Sequence, residues 1–356
     1  MKFRIWAVLL ALTIFVGSLT ACSGGGDADV HVFYYTYSDT YVSTVRSTLD
    51  SKLTEAGLSY QDYDANGNQT TQTEQIRTAI TKGAKALLVN IVNTGSDDAA
   101  NEIVGLARDA GIPLLFFNRE VGDSVINSYD DCAFVGTRSE EAGKLQGEMI
   151  GEYLLEHYQD ADLNRDGVIS YILFKGEEGN NEAIYRTKYS VEKANELLMA
   201  AGKKPLRFYD ASNSNGYLVD QNGQWSSAAA NDYMNTVLAS HNTANGNMVE
   251  LVICNNDSMA EGAISALNAA GYNKGEGTVN IPVFGVDATE AAQTLIKGGR
   301  MAGTVQQDAA GMANALALLA ANAVDESKSL MHGTEALPVD ETVRKIRIPY
   351  GKYRGE

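Results

Sequence analysis

The sequence predicts an α/β protein of two Rossmann-like lobes with parallel sheets, joined by a hinge that the chain crosses several times. Apolar strands alternate with amphipathic helical segments along the chain, which is the pattern of βαβ units. The same run of helix, strand, helix and strand occurs in both halves. The length of 356 residues favours two cores over the alternative, one larger doubly wound domain.

Each half contains an apolar run that follows an Ile-Pro pair and ends at one polar residue, Asn118 in the first half and Asp287 in the second. Short runs rich in β-branched and aromatic residues are typical of buried parallel strands. Ligands of open α/β sheets bind beyond the carboxyl ends of the strands. We therefore expect Asn118 and Asp287 on facing edges of the two lobes, with a cleft between them that closes around a ligand.

The individual elements follow from hydrophobic period, capping residues and helix breakers. In the first half we expect strands at 30–37, 60–63, 86–92 and 112–117, and helices at 41–53, 73–81 and 97–108. Then follow helix 140–158, strand 170–174, helices 182–201 and 226–240, strand 250–254, helix 256–270, strands 281–286 and 300–306, helix 308–323 and a strand-like tail at 343–350. This order assigns 29–137 plus about 307–340 to the N-terminal lobe, and 138–306 plus about 341–356 to the C-terminal lobe.

Residues 1–21 have the pattern of a secretion signal. Lys2 and Arg4 precede an apolar run, 5–16, that is short for a membrane span. The tetrad that ends at Cys22 resembles a bacterial lipobox, and 22–28 then forms a flexible tether. We expect an extracytoplasmic protein with a lipid on Cys22 that anchors it to the outer face of the cell membrane; cleavage of an ordinary secretory signal nearby is the alternative.

The composition argues against several classes of protein. The formal net charge is −17 and Lys and Arg form no cluster, which excludes a nucleic-acid-binding surface. The four His residues have neither metal-ligand spacing nor a triad neighbourhood, and no P-loop or dinucleotide fingerprint is present, so we do not expect an enzyme. Cys132 and Cys254 could pair in a secreted protein, but Cys254 lies in an apolar strand pattern and both are expected as unpaired thiols.

The segment 162–170 matches the first nine positions of an EF-hand calcium loop. Its oxygen ligands would be Asp162, Asn164, Asp166, the backbone carbonyl of Val168, and Ser170. Gly167 allows the tight turn, but Leu173 occupies the twelfth position, where the loop needs a bidentate carboxylate. The missing ligand would have to come from elsewhere in the fold; the alternative is an Asp/Asn/Gly turn without a metal.

Polar residues at the predicted strand ends suit a ligand with several hydroxyl groups, because they make charge-assisted and bidentate hydrogen bonds. Trp225 is the only Trp beyond the leader, and it lies in a polar loop before a helix. Its face could pack against the apolar C–H patch of a pyranose; filling the core is the alternative.

These segments together resemble the type I periplasmic sugar-binding proteins, and most closely the galactose- and glucose-binding members. The resemblance covers nearly all of the mature chain and rests on segments 35–41, 116–120, 162–170, 175–179, 255–259, 282–288 and 302–305. It implies a monosaccharide held between two aromatic side chains by polar groups of both lobes: Asp39, Tyr41, Asn118, Asn180, Glu182, Arg186, Trp225, Asn256, Asp287 and Gln307. It also implies that Glu250 closes the calcium loop.

Three departures from the family pattern bear on which sugar binds: Asn180 replaces His, Glu182 replaces Asp and Gln307 replaces Asn. A lost hydrogen-bond partner in a buried site costs about 1–3 kcal/mol. Galactose or glucose is therefore the first expectation, while a pentose or another aldose stays open. The resemblance further implies a monomer that delivers its sugar to an ABC transporter permease. The second hypothesis is a sugar sensor subunit of a membrane receptor, and the third is an enzyme on the same fold.

Overall fold

The computed structural model of the protein describes residues 28–340 and 342–355, so the predicted leader, Cys22 and most of the tether lie outside the described residues. The strands are β1 (Val30–Tyr34), β2 (Tyr60–Asp64), β3 (Ala86–Val89), β4 (Leu114–Phe117), β5 (Cys132–Gly136), β6 (Ser170–Lys175), β7 (Arg207–Phe208), β8 (Leu218–Val219), β9 (Leu251–Cys254), β10 (Val283–Asp287), β11 (Gly303–Gln307), β12 (Lys345–Arg347) and β13 (Tyr350–Tyr353). The helices are α1 (Thr40–Glu55), α2 (Gln69–Thr81), α3 (Asp98–Ala110), α4 (Asp123–Asn127), α5 (Ser139–Ala161), α6 (Asn181–Ala200), α7 (Ser227–Ser240), α8 (Asp257–Ala269), α9 (Glu290–Lys297) and α10 (Ala309–Val324), with one 3-10 turn at Thr243–Asn245.

Two sheets organise the molecule. The first has the strand order β12-β5-β4-β3-β1-β2 and is parallel throughout. The second has the order β13-β11-β10-β9-β6-β7, with β8 also beside β6, and is parallel except for the pair β11 and β13. The predicted α/β class with two parallel-sheet lobes is confirmed.

Helices cover both faces of each sheet, which explains why the strands are continuous apolar runs. In the first lobe α1 and α10 cover one face, and α2 and α3 cover the other. In the second lobe α7 and α8 lie opposite α5 and α6. Adjacent residues of β3 show the consequence, because Leu88 packs in one core and Leu87 in the other, and both are fully buried.

The C-terminal tail differs from the prediction. The sequence predicts one strand at 343–350 and a lobe boundary near 340, but the structure has two strands there. Ile346 of β12 lies opposite Val135 in the first sheet, whereas Tyr350 of β13 lies opposite Gln307 in the second. The lobe boundary therefore falls at 348–349. The sequence did not predict this position, because alternation identifies a strand but not the sheet that the strand joins.

The chain thus crosses between the lobes three times within the described residues: between β5 and α5, between β11 and α10, and between β12 and β13. Elements that the sequence did not predict are β5, β7, β8, α4 and α9. Most of them span only two to five residues, too few to display a period. Helix α2 begins earlier than predicted because Asn68 caps it, accepting a hydrogen bond from the Thr71 amide.

Cys132 and Cys254 are buried free thiols on strands of different sheets, which confirms the prediction of unpaired cysteines. In the part of the chain that the structure describes, no helix has the length and apolarity that a membrane crossing requires.

Candidate ligand-binding site

A cavity lies between the lobes, at the carboxyl ends of strands from both sheets. Its wall is formed by Tyr35, Asp39, Tyr41, Asn118, Arg119, Asn180, Glu182, Arg186, Trp225, Asn256, Asp287 and Gln307. The structure therefore brings together all ten residues that the sequence assigned to the site. Tyr35 and Arg119 also line the cavity and were not predicted.

Three of the polar residues are helix N-caps. Asp39, Asn180 and Asn256 each accept a hydrogen bond from a backbone amide in the first turn of α1, α6 and α8, respectively. The cap fixes each side chain in one rotamer, and the start of the helix adds a partial positive charge beside the cavity. A local sequence signal, the capping residue after a strand, thus places polar groups at the site.

Arg186 on α6 is the centre of the polar wall. Its side chain is only 3% exposed. It donates to Asn255 O at 2.8 Å, to Gln307 Oε1 at 3.1 Å and to the Tyr350 hydroxyl at 3.0 Å. Burial by itself would lower the pKa of Arg186, but Tyr350, Glu182 and Asp287 outweigh it and raise that pKa, so the guanidinium stays charged.

Two groups in the cavity lack a close partner in the described protein. Asp287 is buried, and its nearest ion-pair contact is Arg186 Nη1 at 3.9 Å. Burial raises the pKa of Asp287 and Arg186 only partly offsets this effect. Gln307 Nε2 is buried without a hydrogen-bond partner among the described residues. The Asp287 carboxyl group and the Gln307 Nε2 donor therefore favour a polar ligand, because unpaired buried polar groups cost free energy.

Both lobes contribute aromatic side chains to the cavity, Tyr35 and Tyr41 from the first lobe and Trp225 from the second. Tyr41 is 5% exposed, and Trp225, whose φ is +57°, is 7% exposed. The indole packs against Gly176, where the Cβ of any larger residue would lie 2.0 Å from Trp225 Cδ2. A ligand with a flat apolar patch could therefore be held between the Tyr41 and Trp225 rings.

Glu182 is held by residues of the hinge. Its Oε1 accepts from Thr137 Oγ1 at 2.9 Å, and its Oε2 accepts from the Tyr350 hydroxyl at 3.0 Å and from Arg186 Nε at 3.2 Å. Thr137 and Tyr350 lie at the first and third crossings of the chain. Sequence reasoning missed both residues, because no local pattern connects positions so far apart.

The loop 162–170 forms a compact turn in front of Glu250. The Asp162 carboxylate accepts from the amides of Asp166 and Gly167 at 3.2 and 3.0 Å. Glu250 accepts from the amides of Asn164 and Ser170 at 2.9 and 2.8 Å. The distant residue Glu250 is therefore next to the loop. Burial raises the pKa of the Glu250 carboxyl group, and its hydrogen bonds with Ser170 and Asn164 only partly offset this effect; the nearby Asp162 adds to the increase.

The donor atoms of the loop 162–170 show how well it suits a metal ion. They are oxygens, which suit a hard cation such as calcium, and the buried Glu250 carboxylate lies near the Asp162 carboxylate. However, Asp166 Oδ2 forms an ion pair with Arg207 at 2.8 Å. Across residues 28–340 and 342–355, no group of three or more His, Cys, Asp or Glu side chains is arranged to hold a metal ion.

Comparison with known proteins identifies the family. Residues 30–328 match the model of the periplasmic binding protein domain. The chain is 34% identical over 342 residues to the D-galactose/methyl-galactoside binding periplasmic protein MglB of Haemophilus influenzae. The alignment covers 96% of this chain and 93% of that protein. The chain is 27% identical over 275 residues to the D-xylose-binding periplasmic protein of Escherichia coli, covering 77% and 71% of the two chains.

Solved structures agree with the fold. A solute-binding protein of Clostridium phytofermentans with bound β-D-glucose superimposes with a TM-score of 0.71 at 22% identity, covering 92% of this chain and 94% of that one. One of Bacillus halodurans with bound myo-inositol gives 0.68 at 24% identity, covering 94% and 96%. With the family model matching most of the chain, the protein belongs to the periplasmic binding protein family.

Proposed function

We propose that this protein is an extracytoplasmic solute-binding protein that captures a monosaccharide between its lobes and delivers it to an ABC transporter permease. The observation that carries the proposal is the cavity wall. It combines aromatic side chains of both lobes with Arg186 and with two Asn side chains on helix caps. It also includes the buried Asp287 carboxyl group and Gln307 Nε2, which has no hydrogen-bond partner among the described residues. Such groups bind a ligand that has an apolar face and several hydroxyls.

Galactose or glucose is the first choice for the sugar. The relative from Haemophilus influenzae is named for galactose and matches almost the whole chain. Two of the three residues that depart from the family pattern bear on this choice: Asn180 donates to Thr94 Oγ1 of the other lobe, and Glu182 is held by the hinge. Because the side chains of Asn180 and Glu182 already have protein partners, another aldose or a pentose is the second candidate. A D-xylose-binding relative supports the pentose.

Two further elements belong to the proposal. The loop 162–170, closed by Glu250, binds one structural calcium ion, which supplies the charge that balances Asp162 and Glu250; Asp166 would then be shared with Arg207. A lipid on Cys22 anchors the otherwise monomeric protein to the outer face of the cell membrane. Mass spectrometry of the membrane-bound protein tests the lipid, and unmodified Cys22 would contradict it.

Titration calorimetry of the mature protein with D-galactose, D-glucose, D-xylose, D-ribose and myo-inositol tests the function. We expect one of the first two sugars to bind most tightly and to change the emission of Trp225. Asp287→Asn should weaken that binding at least tenfold. Asp109→Asn, an exposed carboxylate on α3, is the matched control and should bind normally. No heat and no emission change with any of these sugars would refute the proposal.

A further inference from the structure

The ion pair between Arg119 and Glu177 bridges the two lobes at the cavity. Arg119 follows β4 of the first lobe, and Glu177 follows β6 of the second. Arg119 Nη2 lies 2.8 Å from Glu177 Oε2 and 3.0 Å from Oε1. The Arg119 side chain is 5% exposed and the Glu177 side chain 20%, so both charges have left most of their water and depend on each other.

Each partner of the pair is also held within its own lobe. Arg119 lies over the Tyr35 ring at 4.3 Å and donates to Val92 O at 2.8 Å. Glu177 Oε2 accepts from Trp225 Nε1 at 3.3 Å. The two charged groups are therefore positioned before the lobes meet, which lowers the entropy cost of joining them.

The pair connects residues that touch the ligand cavity from opposite sides. The Tyr35 hydroxyl under Arg119 donates to Asp39 Oδ2 at 2.5 Å, and Asp39 belongs to the proposed sugar site. On the other lobe, Glu177 fixes the Trp225 indole. In addition, Arg119 lines the cavity, and its Nε is buried with no partner among the described residues, which leaves one donor for a ligand.

Neutral contacts accompany the pair where the lobes meet. Thr40 Oγ1 lies 2.9 Å from Ser258 Oγ, and Asn180 Nδ2 lies 3.2 Å from Thr94 Oγ1. The backbones of Gly95 and Gly179 also approach closely, since a Cβ on Gly179 would lie 3.2 Å from Gly95 Cα. The charged pair is the strongest of these contacts, because charge-assisted hydrogen bonds are roughly twice as strong as neutral ones.

We propose that Arg119 and Glu177 form an interlobe latch that positions Trp225 and Asp39 around the ligand and slows its release. The inference rests on the proposed function of the cleft as a sugar site. When the lobes part, both charges regain water, so the latch contributes mainly to the closed, ligand-holding state. Removing it should therefore raise the dissociation rate of the ligand while leaving the association rate nearly unchanged.

Four variants of the mature protein test the latch: Glu177→Gln, Arg119→Lys, the double variant and Arg77→Met. Glu177→Gln keeps an acceptor oxygen for the Trp225 N–H, removes the charge and replaces the other carboxylate oxygen with an NH2 donor. Arg119→Lys keeps the positive charge but loses the planar guanidinium that lies over the Tyr35 ring. Arg77 forms an exposed ion pair with Glu102 at 2.7 Å inside the first lobe and is the matched control. The tightest-binding sugar of the calorimetric panel is the probe, and stopped-flow Trp225 fluorescence gives the two rates.

We expect Glu177→Gln to raise the dissociation rate about 10- to 100-fold and Arg119→Lys to raise it less. The effects in the double variant should be clearly less than additive, because both changes remove the same interaction. The melting temperature without sugar should stay near that of the wild type, and Arg77→Met should leave both rates within twofold. Additive effects, or rates within twofold of wild type for Glu177→Gln, would overturn the latch. A wild-type protein that binds no sugar would instead refute the proposed function.

Discussion

The Tyr350 hydroxyl donates to Glu182 Oε2 at 3.0 Å and thereby joins the last strand of the chain to the polar wall of the cleft. The same hydroxyl lies 2.9 Å from Thr137 Oγ1 and accepts from Arg186 Nη2 at 3.0 Å. One phenol therefore links the first and third crossings of the hinge to the arginine at the centre of the site. Tyr350 does not line the cavity, so it acts by positioning Glu182 and Arg186.

Tyr350→Phe should weaken sugar binding without removing any residue of the cavity wall. The change leaves the buried groups of Glu182 and Arg186 each one partner short, at a cost of about 1–3 kcal/mol, or roughly 5- to 150-fold in affinity. Calorimetry with the best sugar of the panel measures it. The control is Tyr129→Phe, which removes a hydroxyl that donates to Ile112 O at 3.2 Å in the first lobe. It should change stability but not affinity; equal affinities in the two variants would contradict the positioning role.

Gly176→Ala should displace the Trp225 indole, because the new Cβ would overlap the ring. We expect at least a tenfold loss of affinity and an altered emission spectrum before any sugar is added. Gly105→Ala on α3 is the matched control, since a Cβ there meets no atom within 4 Å and Ala is favoured over Gly in a helix by about 0.5–1 kcal/mol. Normal binding by Gly176→Ala would argue that the indole does not contact the ligand.

Calcium should stabilise the protein through the loop 162–170. An ion that binds only the folded state adds about 2.7 kcal/mol when its concentration is 100 times Kd, so a chelator should lower the Tm of the wild type and added calcium should restore it. Glu250→Gln should abolish this response, whereas Glu55→Gln, an exposed residue of α1, should retain it. A wild-type Tm that is the same with chelator and with calcium would exclude the site.

Stability should decrease as the pH rises from about 4 to 7, in part because of Asp62 on β2. Burial, followed by the charge of Asp50, raises the pKa of Asp62 to about 7, compared with about 3.9 in an unfolded chain. The folded state therefore holds a proton that the unfolded state has lost. The resulting stabilisation is complete below about pH 4 and disappears as the pH passes about 7.

Asp62→Asn should flatten this pH dependence and raise the Tm at pH 7.5 by about 1–3 °C. Some slope should remain, because burial also raises the pKa of Asp257 to about 7. The control is Asp325→Asn: Ser327 and Lys328 lower the pKa of Asp325 to about 2, so its stabilisation is present above about pH 4 and is lost toward pH 2. That variant should keep the wild-type slope between pH 4 and 7. An unchanged slope for Asp62→Asn, measured by thermal melts across this range, would contradict the assignment.

The sequence predicted the α/β class and all ten residues of the cavity wall that it assigned. Asn118 and Asp287 end apolar strands, and Asp39, Asn180 and Asn256 have the chemistry of helix caps. Both signals are local, since a strand end and a cap are fixed by a few neighbouring residues. The resemblance to a known family then selected these residues among the many polar positions of the chain.

The tertiary structure decided what depends on contacts between distant segments. The sequence places the tail 343–350 in one strand, but hydrogen bonding to two different sheets divides it and moves the lobe boundary. Tyr350 reaches Glu182, and Arg119 reaches Glu177, only because the hinge brings three crossings together and the lobes meet face to face. Such pairings depend on the packing of whole sheets, which no local periodicity encodes. Strand ends and caps are thus determined by the sequence itself, while the contacts that join the two halves of the site are set by the fold.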